Sequence, residues 1–449
     1  MIETSKIYNE DCIDTMKRHP EACIDLVCCD PPYGYSFMGK DWDTFNEVVE
    51  PKGAYSKIGF NKLPRNKPFA MYEAFLPIWT EALRILKPGG FAYIMASPRQ
   101  DVLCKQILAL SDAGFNVGFS SIYWAYASGF PKANNIGRMA SKRMGEEVKG
   151  EFTSVQGISS YAQKPTPMKD RHKFRHKPQN QQAQALDGSY AGFQPKPAVE
   201  VIIVAMKPLS EKTYVDQALK NRKGITWLDD CRVPYQSDDD ENSSIPGSLN
   251  SKPENSSFGF APPGYLHKNT GQGRFPANLL VSDGVVDDGT DHQGQSGATT
   301  GNEPTNSKPN QTHGNYQGYR KAMLPRGDSG SFSRYFDLDK WWEERIKDLP
   351  EKVQRTYPFL IVPKAAKGEK NDGTDNFHPT VKPVKLMSYL ITLGSRPGDI
   401  IYDPFAGSGT TLIAAEITRR KWIGSELSPE YHKIAEERIK RELHQLKLF

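Results

Sequence analysis

The chain has 449 residues, long enough for one large domain carrying an insertion or for two domains. With 37% hydrophobic and 25% charged residues it reads as globular, and no apolar run approaches the ~20 residues of a membrane helix. The net charge of +5 is modest but unevenly placed, because residues 131–180 hold 11 Lys and Arg against 4 Asp and Glu. That excess, with Tyr161 and Phe174 in the same window, suits a polyanion; a solvated, flexible basic loop is the equal alternative. The polar N-terminus, MIETSKIYNED, lacks the apolar core of a signal peptide, so an intracellular, cytoplasmic protein is expected. The cysteines at 12, 23, 28, 29, 104 and 231 form no CxxC pair, which argues against zinc, and no metal site is expected. A disulfide framework is not expected either, and Cys28 and Cys29 read as small apolar groups of a strand.

In chain order, SKIYN (5–9) is a short strand and IDLVCCD (24–30) a stronger one. AMYEAFLPIWTEALRILK (70–87) has apolar residues at helical spacing, and Pro-Gly-Gly at 88–90 is expected to stop it. FAYIMAS (91–97) follows as a buried strand, then a helix at about 100–113 and a strand near 117–126. This alternation predicts an α/β sheet. From 131 to 196 the sequence turns polar and irregular, and QNQQAQ (180–185) reads as mobile. VEVIIVAM (199–206) is a further strand. Residues 236–335 are rich in Gly, Asn, Ser, Asp and Pro, with short apolar islands such as ANLLV (277–281). So long a stretch is expected to be a loop-rich module, or a segment ordered by a partner. Order returns near 356 with a helix at 383–394, a strand at 399–403, a helix at 409–420, a strand at 421–427 and a charged helix at 428–443 opened by Ser-Pro.

Two strand ends carry chemistry. IDLVCC runs into Asp30, Pro31, Pro32 and Tyr33; read alone, this is either a capped turn or a rigid site. IIYDPFAGSGTTLIAA (400–415) is a strand ending at Asp403, a loop containing Gly407 and Gly409, and a helix. The open end of such a strand binds nucleotides, and the glycines let backbone approach a ligand. The loop is not GxGxxG, and no Lys follows as in a phosphate loop, so a nucleoside without phosphates fits better. The next strand ends at Glu426, an acid able to hold ribose hydroxyls. A tight turn with no ligand is the alternative.

Together, DPPY and FAGSGT with the acidic strand end resemble the S-adenosylmethionine-dependent DNA amino-methyltransferases, which methylate adenine N6 or cytosine N4. DPPY precedes the glycine loop, which resembles the circularly permuted beta arrangement of that family. HPTVKP (378–383), NEDCIDTM (9–16), ALRILKPGGFAYI (82–94) and VEVIIVAMKP (199–208) fall in matching order, with Glu200 in the family's usual acidic place. SGFPKANNIG (128–137), KPLSEKT (207–213) and GRFPANLL (273–280) are similar to phage and prophage members. The resemblance covers about half the chain, roughly 1–135, 197–235 and 375–445.

The resemblance implies a class I methyltransferase-like, doubly wound α/β sheet with a large loop-rich insertion for target recognition. It implies a catalytic half at 1–130, a basic flexible insertion at 131–196, a late core strand at 197–206, a target-recognition region at 207–355 and a cofactor half at 356–449. The cofactor is expected to be S-adenosylmethionine, held by Asp11, Cys12, His378, Thr380, Asp403, Phe405, Gly407, Gly409, Thr410 and Glu426. Asp30 and the Pro31 carbonyl would accept the hydrogens of the target amine, Pro32 would stiffen the corner, and Tyr33 would stack the extruded base. Trp42 reads as a flank of the base or as a structural anchor, and Lys382 as a family position or a solvated charge beside a helix. The substrate is expected to be double-stranded DNA, with a cognate restriction endonuclease and a homodimer left open and no membrane partner. Asp at position 30 favours adenine over cytosine. The same chemistry on RNA or on a protein amide is the alternative, which Asp30 argues against, and the intact motifs argue against a silent DNA-binding subunit.

Overall fold

The computed structural model describes residues 2–33, 70–126, 134–145, 150–154, 172–176, 178, 180–192, 198–235, 273–282, 292–293, 329–330, 332–349 and 381–447. Its strands are β1 (Lys6–Tyr8), β2 (Ile24–Cys29), β3 (Leu86–Ala96), β4 (Ile122–Ala125), β5 (Gly150–Ser154), β6 (His172–His176), β7 (Val199–Met206), β8 (Leu279–Val281), β9 (His292–Gln293), β10 (Ser329–Gly330), β11 (Ile400–Asp403) and β12 (Lys421–Ser425). Its α-helices are α1 (Cys12–Arg18), α2 (Ala70–Ile85), α3 (Gln100–Asp112), α4 (Ile136–Arg143), α5 (Gln181–Ala185), α6 (Tyr214–Asn221), α7 (Leu338–Arg345), α8 (Val384–Gly394), α9 (Thr410–Ile417) and α10 (Pro429–Lys447). Two compact units divide the chain: residues 1–127 with 199–449, and residues 128–198.

The first unit is built on an eight-stranded sheet in the order β1-β12-β11-β2-β3-β7-β4-β8. Every neighbouring pair is parallel except the two made by β7, which runs against both β3 and β4. Helices cover both faces. α1, α2 and α3 pack on one with Ile24, Val27, Cys29, Ala92 and Ile94. α7 to α10 pack on the other with Leu26, Cys28, Tyr93 and Met95. All six residues of β2 are buried, as a strand covered on two sides requires. Burial pushes the thiols of Cys28 and Cys29 well above their ordinary range, so they pack as small neutral groups.

The carboxylate of Asp25 is the polar exception within β2. It accepts Nζ of Lys87 at 2.7 Å, Nζ of Lys223 at 2.9 Å and the Ile400 N–H at 2.9 Å. Burial pushes its pKa up, but these partners, Lys223 foremost, outweigh burial and leave it lowered. Lys223, itself buried, also reaches Asp399 at 2.8 Å, so one ammonium ties β2 to the turn that opens β11.

Several boundaries move from the sequence expectation. α2 ends at Ile85 and β3 starts at once, so Pro-Gly-Gly lies inside a strand and does not terminate a helix. Leu86 pairs with Ile24 and Phe91 with Leu26, and the intervening residues bulge. Gly89 sits there at φ +75°, where a Cβ would come within 2.7 Å of the Gly224 nitrogen. Only glycine permits that turn and approach together. The strand expected near 117–126 shortens to Ile122–Ala125, and the ANLLV island supplies edge strand β8.

The 128–198 unit, read from sequence as irregular, contains two short helices and the antiparallel pair β5–β6. Each helix is started by an asparagine: Asn135 accepts the Arg138 N–H and Asn180 the Gln182 N–H, both at 2.8 Å. A polar composition concealed those caps.

Candidate active site

The candidate cleft follows from topology. β2 and β11 are adjacent and parallel, yet α2 leaves β2 onto one face while α9 leaves β11 onto the other. Crossovers diverging from neighbouring strands open a crevice at the strands' carboxyl ends. Asp30-Pro31-Pro32-Tyr33 follows β2 and Asp403-Pro404-Phe405 closes β11, so both motifs meet there.

Of the residues singled out from sequence, Asp11, Cys12, Asp30, Pro31, Pro32, Tyr33, Asp403, Phe405, Gly407, Thr410 and Glu426 line this one cleft. Gly409 is not among its lining residues. It begins α9 at φ +84°, and a Cβ there would lie 3.2 Å from Cβ of Ala435 on α10. His378, Thr380 and Trp42 lie outside the described residues.

On the β11–β12 side the loop is held by backbone donors. The Gly407 N–H donates to Oε2 of Glu426 at 2.8 Å, and the Ser428 N–H to Oε1 at 2.9 Å. Burial drives the Glu426 carboxyl up to about 7 against those two hydrogen bonds. Asp403, 2% exposed, accepts the Phe405 N–H at 2.9 Å. Burial carries it to about 7 as well; Thr411 and the Phe405 N–H oppose the rise, while the negative charges of Asp30 and Glu426 add to it. Phe405 presents its ring edge-on to Phe75 and Trp79 of α2 at 5.9 and 6.0 Å between centroids, fixing the loop against that helix. Asp11 caps α1 by accepting the Ile13 N–H at 2.8 Å, so it holds a helix as well as facing the cleft. Burial also raises the Cys12 thiol, which stays neutral.

On the β2 side the structure decides between the two readings of Lys382. It is 8% exposed, which removes the solvated alternative. Its Nζ donates to Oδ2 of Asp30 at 2.5 Å and lies 3.3 Å from Oε2 of Glu200. It also stands 5.5 Å from the centroid of the Tyr33 ring. The Tyr33 hydroxyl donates to Oδ1 of Asp30 at 2.7 Å, with Glu200 at 3.4 Å, and Tyr126 reaches the other Glu200 oxygen at 3.4 Å. Burial disfavours the Lys382 charge, but the two carboxylates outweigh it and its pKa is raised. Glu10, Ile78, Met387, Leu427 and Tyr431 also line the cleft, and sequence reasoning singled out none of them, although Glu10 lies within NEDCIDTM.

The sequence pattern that defines the DNA methylase family (N6/N4 type) matches residues 24–437. The chain belongs to the N6/N4 DNA methylase family. Among its relatives, the orphan methyltransferase M.BamHII of Bacillus amyloliquefaciens is 51% identical over 63 residues, 14% of this chain and 24% of that protein. The DNA adenine methyltransferase YhdJ of Escherichia coli (strain K12) is 48% identical over 62 residues, 14% of this chain and 21% of that protein. The chain thus spans about a quarter or less of the length of these two relatives. The solved PvuII DNA methyltransferase (cytosine-N4-specific) superposes over 99% of this chain and 93% of its own at 14% identity, with a TM-score of 0.41. The family match starts at β2 and ends in α10, so it takes in both strand ends that form the cleft.

Proposed function

We propose that this methylase transfers the methyl group of S-adenosylmethionine to N6 of an adenine extruded from double-stranded DNA. The observation that carries the reading is the meeting of Asp30 and Glu426 in one cleft, at the ends of strands whose crossovers diverge. The donor set suits the cofactor. Among the described residues the cleft is lined by the carboxyl groups of Glu10, Asp11, Asp30, Asp403 and Glu426 and the single ammonium of Lys382. Such a lining favours a cationic nucleoside and disfavours a phosphate. Glu426 would hold the ribose hydroxyls, the Gly407 backbone would allow close approach, and Phe405 with Ile78 would form an apolar wall for the adenine.

When bound, S-adenosylmethionine supplies an electrophilic methyl group on a sulfonium that departs as a neutral thioether. The chain's part is to make an unreactive amine a nucleophile. The lone pair of an exocyclic amine is delocalised into the ring. Asp30 and the Pro31 carbonyl, accepting the two amine hydrogens, draw the nitrogen toward tetrahedral geometry, and Asp30 takes the proton the nitrogen loses. The prolines hold that carbonyl rigidly, so the acceptors are placed before the base arrives. Flipping a base costs a few kcal/mol, and stacking on Tyr33 at about 1–3 kcal/mol would offset much of it. Target recognition in this reading lies mainly in 207–355, helped by 131–196.

The test is expression in a methylation-deficient host, followed by digestion of its DNA to nucleosides. N6-methyladenine is expected with the native chain and none with Asp30→Ala, whose cofactor binding persists. N4-methylcytosine would overturn the choice of base, and no methylated base at all would overturn the reading.

A further inference from the structure

Lys382 is the one cation of the cleft lining among the described residues, and its partners all stand on the β2 side: Asp30, Glu200 and the Tyr33 ring. Glu200 lies on β7, two strands away from β2 across β3. The groups facing Asp30 are Tyr33 and Cys29 from its own segment, Lys382 ahead of α8, Glu200 on β7 with Tyr126 behind it, and Asp403 at the end of β11. Three carboxyl groups therefore crowd one corner, with one ammonium among them.

We infer that Lys382 is a positioning residue for methyl transfer: its ammonium, braced by Glu200, holds the Asp30 carboxylate in place, with the Tyr33 ring beside it, for the incoming amine. Each carboxylate oxygen has two acceptor sites, so Asp30 can keep Lys382 and Tyr33 and still accept from the base. A buried ammonium within 3.3 Å of two carboxylates lowers the cost of holding both charges together. Without it Asp30 and Glu200 would stand as two like charges with no cation between them, an arrangement that favours the protonated form of one. A protonated Asp30 cannot accept both an amine hydrogen and the departing proton. This role for Lys382 rests on Asp30 being the acceptor for the amine, as proposed above.

The experiment compares the native enzyme with Lys382→Met, Lys382→Arg, Glu200→Gln and Asp30→Ala. It uses DNA from a methylation-free host and radiolabelled-methyl S-adenosylmethionine, and follows kcat from pH 5.5 to 9 together with the dissociation constant of the cofactor. Lys382→Met should lower kcat at neutral pH by about 100-fold or more, a loss of the size general acid–base groups produce. Its cofactor dissociation constant should stay within about threefold, and the acid limb of its rate profile should move up by about 1–3 pH units. Lys382→Arg should return the acid limb to its native position. Glu200→Gln, which removes the competing carboxylate, should move the limb the opposite way, to lower pH; that arm and the arginine variant carry the test if the methionine variant does not fold. An unmoved acid limb in Lys382→Met or in Glu200→Gln, or undiminished activity in Lys382→Met, overturns the inference. If Asp30→Ala still methylates DNA, the reading of the site itself fails; if Asp30→Ala is inactive while the limb does not move, only the role of Lys382 fails.

Discussion

The Gly407 N–H donates to the Glu426 carboxylate at 2.8 Å, joining the glycine loop after β11 to the acidic end of β12. That bond makes the loop and the acid one unit, and it sits beside the buried acid Asp403. Both carboxyls are displaced upward by burial to about 7.

From this follows a coupling between pH and cofactor. A bound cation favours the ionised acids, so affinity for S-adenosylmethionine should tighten as pH rises from about 6 to 8, and by at most about tenfold per pH unit for each group. Binding should release protons, read as a dependence of calorimetric heat on the buffer's ionisation enthalpy. Glu426→Gln should weaken binding and flatten the pH dependence. An affinity independent of pH in the native enzyme would contradict the assignment.

The same two groups act on the fold in the opposite direction. A carboxyl whose folded pKa is raised binds its proton more tightly in the native state than in the unfolded one. Its stabilisation is complete below the unfolded values of 3.8 for Asp403 and 4.5 for Glu426, and is lost as pH climbs toward about 7. The melting temperature of the cofactor-free protein should therefore decline across pH 5 to 7 and level off above it. Adding S-adenosylmethionine should restore more stability at pH 8 than at pH 6.

Gly409 tests whether the loop is shaped for packing or for ligand. At φ +84° an alanine adopts a left-handed conformation that costs about 1–2 kcal/mol, and its Cβ would press on Ala435 at 3.2 Å. Gly409→Ala should lower the melting temperature by several degrees. Its effect on cofactor affinity should be smaller than that of Glu426→Gln, because Gly409 is not in the cleft lining. An unchanged melting temperature would mean that neither strain nor contact matters there.

Legibility in the sequence followed the range of the interaction. Asp30, Asp403 and Glu426 could be read as strand ends because the apolar run, the Pro or Gly break and the acid are contiguous, and parallel topology then brings those ends together. The role of Lys382 stayed open between a family position and a solvated charge, because its partners Asp30 and Glu200 are far away in the chain and its own neighbours describe only the start of a helix. Pro88-Gly89-Gly90 misled for the same reason. Locally it is a stop, but pairing with β2 and the Gly224 contact make it a bulge within β3. Asn135 and Asn180 lay in a segment whose polarity looked like loop, yet each is a helix cap.

The basic segment offers a test on the substrate side. Within 131–180 the excess of Lys and Arg includes Arg138, Lys142 and Arg143 on α4, a helix with Met139 also exposed. If these cations meet phosphates, neutralising each one should reduce the slope of log affinity against log salt by about one for duplex DNA. Replacing Arg138, Lys142 and Arg143 with glutamine should weaken binding to any DNA sequence alike and flatten that slope by up to about three. It should leave S-adenosylmethionine affinity unchanged, because none of the three is among the cleft residues. A slope equal to the native one would deny the helix any phosphate pairing and leave it a solvated charged surface.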